Sequence, residues 1–64
     1  MAGTLYRQLT ALLKEAGCSY LRDGSGSHEI WQRKDGKPFT VATGISNRHM
    51  ANAILKQAGL EKAF

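Results

Sequence analysis

The sequence predicts an α+β domain in the order α-β-β-β-α, a three-stranded antiparallel sheet with two helices on one face. Three observations predict it. Apolar residues recur at helical spacing near each end of the chain, and a glycine closes each stripe. Between the stripes lie short stretches with strand-like alternation, divided by a Gly/Ser break and an Asp-Gly turn. Placing both helices on one sheet face covers both stripes and leaves the other sheet face open.

The first helix rests on Leu5, Leu9, Leu12, Leu13 and Ala16, which fall on one side of a 3.6-residue period. Thr4 is expected to be its N-cap, and Gly17 stands where a left-handed residue ends a helix. Cys18 to Asp23 reads as the first strand, and Gly24-Ser25-Gly26-Ser27 as a break. His28 to Lys34 reads as the second strand. Asp35-Gly36 then signals a two-residue hairpin of type I′, whose central residues both need positive φ. Pro38 lacks an N–H and belongs at the start of a strand or on an edge, followed by Phe39-Thr40-Val41-Ala42. Ser46 or Asn47 caps the second helix, whose apolar face is Met50, Ala51, Ile54, Leu55 and Ala58. Gly59 followed by apolar Leu60 predicts a Schellman ending.

Strand periodicity puts His28 with Ile30 on one face, and Glu29, Trp31 and Arg33 on the other. If Ile30 is core, His28 lies on the helix-facing side. Tyr20 reads as core, while Trp31 and Tyr20 are both of a type that stacks on nucleobases.

A chain of 64 residues holds one domain, taken here as residues 1–64. So small a body has little room for a deep cavity, which suits a polymer substrate. The single cysteine, Cys18, forms no internal disulfide, and no Cys/His cluster has zinc spacing. No apolar run approaches a membrane span and no charged-then-apolar leader is present, so a soluble cytoplasmic protein is expected. Nine Lys/Arg against five Asp/Glu give a net charge of +4, which favours phosphate backbones as partners.

His28 follows a glycine-containing loop in which backbone N–H groups can gather an anion. An imidazole exchanges its proton near neutral pH. RNA carries its own nucleophile, so a base that removes the 2′-hydroxyl proton starts cleavage without a metal or cofactor. The residues alone point more to an ordinary turn beside a surface histidine than to a site. Gly26 and Ser27 are the loop residues placed to meet a phosphate. Arg33, Lys34 and Lys37 cluster at the hairpin, and Arg48, Asn52 and Lys56 recur every four residues on the second helix, with His49 beside them. These groups are expected to position an RNA backbone, or else to form a solvated charged surface. Arg22, Lys37, His49 and water are the candidates for a second proton donor.

Gly26-Ser27-His28 opening a strand, Asp35-Gly36-Lys37, Phe39-Thr40-Val41 and the run Ile54-Leu55-Lys56-Gln57-Ala58-Gly59-Leu60 together resemble the HicA toxin family, over nearly the whole chain. The resemblance implies a double-stranded-RNA-binding-domain-like fold and the toxin role of a type II toxin–antitoxin pair. It implies ribosome-independent cleavage of mRNA with His28 as the catalytic histidine, and a HicB-type antitoxin that masks the site. Such an antitoxin is expected to cover Trp31 or the basic hairpin. Many members of the family carry Val-Pro and then His or Asn before the second helix. Here the stretch is Val41-Ala42-Thr43-Gly44, so no role carries over from that loop. The alternatives are a non-catalytic RNA-binding module of the same fold and a domain that binds only protein.

Overall fold

A computed structural model describes residues 4–64. The elements follow in the order expected: α1 (Thr4–Glu15), β1 (Ser19–Asp23), β2 (His28–Gln32), β3 (Pro38–Ala42) and α2 (Arg48–Gln57). The strands form one antiparallel sheet in the order β1-β2-β3, so Pro38 opens an edge strand as its missing N–H requires.

Both helices stop in the same way. Gly17 has φ +90°, its N–H bonds to Lys14 O, and Cys18 N bonds to Leu13 O. Gly59 has φ +81°, with Gly59 N to Lys56 O and Leu60 N to Leu55 O. These are paired Schellman closures. Asn47 caps α2, accepting from Met50 N at 2.9 Å. Thr4, expected as the N-cap, lies within α1.

Leu9 and Leu13 from α1 meet Ala51, Ile54, Leu55 and Ala58 from α2 over Trp31, Phe39 and Val41 of the sheet, with Cys18 and Ile45 closing the ends. Met50, expected on the apolar face of α2, is exposed. Asn52 does not join a cationic stripe. Its side-chain oxygen accepts from Ala63 N and Phe64 N, its Nδ2 donates to Phe64 O, and Phe64 folds back against the core.

The second hairpin differs from the expected type I′. Arg33 N bonds to Lys37 O and Gly36 N to Arg33 O, so the loop is the three residues Lys34, Asp35 and Gly36. Gly36 alone is left-handed, at φ +92°. A three-residue loop asks for positive φ only at its last position, which spares Asp35 the steric cost of that region.

The faces also sort differently. Trp31 pairs with Phe39 and is 3% exposed, so Glu29 and Trp31 share the helix-covered face. Ile30 is not core, and His28, Ile30 and Gln32 lie on the open face. Tyr20, read as core, is exposed, and stands edge-on to Trp31 with ring centroids 6.3 Å apart. The larger indole, on the central strand, fills the space under the helices, while Tyr20 sits on the edge strand at the border of α1, beside Tyr6 and Lys14.

Candidate active site on the open sheet face

The loop between β1 and β2 aims His28. Gly24 N bonds to His28 O at 2.8 Å, and His28 N bonds to Ser25 O at 3.2 Å. Gly26, at φ +62°, makes this reversal sterically cheap. The far side of the loop is held to the end of β3, where Thr43 N and Thr43 Oγ1 both donate to Ser27 O at 2.8 Å. Gly26, Ser27 and His28 are thus brought together at one end of the sheet.

The His28 side chain is exposed, and its Nδ1 lies 3.1 Å from Ser25 O. A carbonyl oxygen only accepts, so Nδ1 carries the hydrogen in that bond. In the neutral ring this leaves the Nε2 lone pair free and turned away from the loop. The backbone therefore fixes both the tautomer and the orientation of a base.

Cross-strand partners share a face. On the open face the rows are Arg22–Ile30–Thr40, Ser19–Gln32–Pro38 and His28–Ala42. On the helix-covered face they are Asp23–Glu29–Val41 and Tyr20–Trp31–Phe39. Among these paired residues the ionisable side chains of the open face are His28 and Arg22. Both strand carboxylates lie on the other face and are held there. Tyr6 Oη donates to Glu29 Oε1 at 2.6 Å, Trp31 Nε1 donates to the same oxygen at 3.0 Å, and Tyr20 Oη donates to Asp23 Oδ1 at 2.6 Å. Burial and the bond to Glu29 push the Tyr6 phenol up to about 12. The bond to Asp23 raises the Tyr20 phenol. Glu29, next to His28 in sequence, is therefore no orienting partner for it.

The hairpin cations lie elsewhere. Arg33 follows β2 at the end opposite His28, five residue steps or about 16 Å away along the strand. Its guanidinium pairs with Asp35 at 3.2 Å, and it lies against Gly59. The Lys34 stem lies over Gly17. Beneath them burial pushes the Cys18 thiol up, opposed by the nearby Arg33 charge. On α2, Arg48 is near the His28 end of the sheet, because β3 finishes opposite His28 and a short loop leads to the helix. Lys56 lies near the other end, in an open groove of about 800 Å³ that His49, Asn52, Leu60 and Lys62 also line. The basic residues picked out from sequence are distributed over several surfaces.

Arg22 is the cation that reaches the face of His28, and periodicity hides it. In a regular strand Tyr20 and Arg22 share a face. The pairing shifts between them, so Leu21 is an extra residue in β1, Tyr20 pairs with Trp31 and Arg22 with Ile30.

The elements define a small α-β-β-β-α domain whose topology is like that of a double-stranded-RNA-binding domain. The family model described as the HicA toxin of bacterial toxin–antitoxin matches residues 6–60, and the chain belongs to that family. An antitoxin partner follows from that membership. No curated protein and no solved structure gave a match. Among the described residues no helix is long and apolar enough to cross a membrane, and no group of three or more His, Cys, Asp or Glu side chains is placed to hold a metal ion.

Proposed function

We propose that this chain is an endoribonuclease that cleaves mRNA on its open sheet face, with His28 as the proton-transfer group. The carrying observation is the bond from His28 Nδ1 to Ser25 O, which leaves Nε2 free on a face whose paired strand residues include no carboxylate. Nε2 takes the proton of the 2′-hydroxyl. The oxygen attacks the adjacent phosphorus as the bond to the 5′-oxygen breaks, and the proton returns through solvent to that leaving oxygen. The products are a 2′,3′-cyclic phosphate and a 5′-hydroxyl, with no net change in protons. Chemistry of this kind uses the 2′-hydroxyl and therefore spares DNA.

Gly26 and Ser27 border the reacting phosphate in this reading. Arg33, Lys34, Lys37, Arg48 and Lys56 hold RNA that extends beyond the open face, adding affinity and salt dependence rather than rate. The antitoxin blocks cleavage by covering His28. Trp31 is buried and offers it nothing, so its footprint falls on the open face.

The test is incubation of purified protein with a defined mRNA in the presence of a chelator, with end-group analysis of the products. His28→Ala is expected to lower the rate by about 10²–10⁴-fold, the usual contribution of one proton-transfer group. Cleavage by that variant at the wild-type rate would overturn the assignment. A second reading, an RNA-binding module without cleavage, is favoured by one observation: the paired strand residues of the open face include a single imidazole and no second histidine, cysteine or carboxylate to return the proton. Salt-sensitive RNA binding with intact substrate would support it.

A further inference from the structure

We infer that Arg22 binds the scissile phosphate and stabilises its developing charge, a role that rests on the cleavage reading above. The inference starts from register. Gly24 N bonds to His28 O, which sets Gly24 across from His28, and Arg22 is two residues back along the same strand. Arg22 is therefore the diagonal neighbour of His28 on the open face. Diagonal neighbours have Cβ atoms about 7–8 Å apart, within reach of a long side chain. Gly24 carries no side chain to fill the space between them. A Cβ there would meet His28 O and Ile30 Cδ1 at 3.3 Å.

Arg22 is also available. Among the described residues the ion pair is Arg33–Asp35, and Arg22 makes no side-chain hydrogen bond. Its sequence neighbour Asp23 is the natural competitor, but the Tyr20 hydroxyl holds that carboxylate on the opposite face. The extra residue at Leu21 achieves both results at once, turning Arg22 toward His28 while Tyr20 stays with Asp23 on the helix side. Half-buried Ile30, paired with Arg22, gives the two groups an apolar floor. A guanidinium there can donate two parallel N–H bonds to the non-bridging phosphate oxygens while Nε2 works on the 2′-hydroxyl. Charge on those oxygens grows toward the pentacoordinate transition state, so the contact strengthens as the reaction proceeds.

The experiment compares Arg22→Ala, Arg22→Lys and the charge-matched control Lys62→Ala with wild type. It measures kcat and KM on a short RNA, and affinity for the same RNA with 2′-O-methyl groups, which cannot be cleaved. Thermal melts check folding. Arg22→Ala is expected to lower kcat by about 10²–10³-fold, the scale for one lost transition-state donor. It should also weaken binding of the uncleavable RNA and reduce the salt slope by about 0.7, one phosphate contact on a single strand. Arg22→Lys restores binding more than kcat, because a point charge replaces a fork. Lys62→Ala should stay within about two-fold of wild type, since it removes the same charge at a distance. If His28→Ala is inactive while Arg22→Ala cleaves and binds as wild type does, the role of Arg22 is overturned and the cleavage reading stands. If wild type cleaves nothing, the cleavage reading fails, and a loss of binding in Arg22→Ala still assigns the phosphate contact.

Discussion

The two ends of β2 carry basic side chains in opposite states. At the hairpin end, Arg33 is paired with Asp35 and lies on Gly59, and Lys34 lies over Gly17. Those cations close the ends of both helices against the sheet. At the loop end, His28 and Arg22 have no carboxylate partner, and the nearby Asp23 and Glu29 are held on the other face by tyrosines and Trp31. Density of charge along the chain therefore marks the end where the cations are already engaged within the fold. An unpaired charge whose natural partners have been turned away is the better marker, because it remains free for a ligand.

This contrast can be broken most sharply by His28→Ala, for which the largest loss of activity is expected, about 10²–10⁴-fold in single-turnover cleavage, with little change in melting temperature. Wild-type cleavage would show that the loop end is not the reacting end. A comparable comparison uses one glycine from each end. Gly26→Ala forces a side chain into φ +62° with open space around it, which strains the loop by about 1 kcal/mol and displaces the Ser25 carbonyl that orients His28. Activity should fall further than stability. Gly59→Ala adds the approach of Arg33 Nη2 at 3.0 Å to φ +81°, so it should cost stability, about 1–2 kcal/mol in urea unfolding, with cleavage unchanged. Equal effects of the two substitutions on activity would remove the distinction between the ends.

A smaller effect tests the tethered carboxylates. Tyr20→Phe frees Asp23 to approach Arg22, and RNA affinity at low salt should drop several-fold, about 1 kcal/mol for a competing ion pair. The last test is alkaline stability. The Tyr6 phenol is raised in the folded state, so folded protein keeps a proton that the unfolded chain releases above pH 10. Its stabilising contribution is complete below pH 10 and is lost as pH rises toward 12. Denaturant unfolding should be flat below that window and fall within it, and Tyr6→Phe should weaken the fall. An unchanged profile in Tyr6→Phe would show that the bond to Glu29 does not govern it.

Much of the fold is legible locally. Leu5, Leu9, Leu12 and Leu13 announce α1 because a helix is a local, periodic object. Gly17 and Gly59 announce its end and that of α2 because left-handed backbone is costly for other residues. His28 was legible as a candidate because the glycine-containing loop precedes it directly. Its face was not. Alternation says that His28 and Ile30 agree and that Trp31 opposes them, but it does not say which set meets the helices. The reading of Tyr20 as core fails for a related reason: Tyr20 and Trp31 are both aromatic residues on strands, and only the order of the strands puts Trp31 in the centre and Tyr20 at the edge.

The sequence by itself determined the α-β-β-β-α order, the helix stops, the positive charge and the loop that presents His28, all of which depend on residues close together in the chain. Tertiary structure decided which sheet face stays open, because that depends on where two distant helices lie. It decided that Asn52 holds the chain at Phe64 rather than serving a cationic stripe. It also decided that Arg22 joins His28, through the register shift beside Leu21. A bulge of this kind is set by how β1 pairs with β2, and no local pattern in Ser19–Asp23 records it.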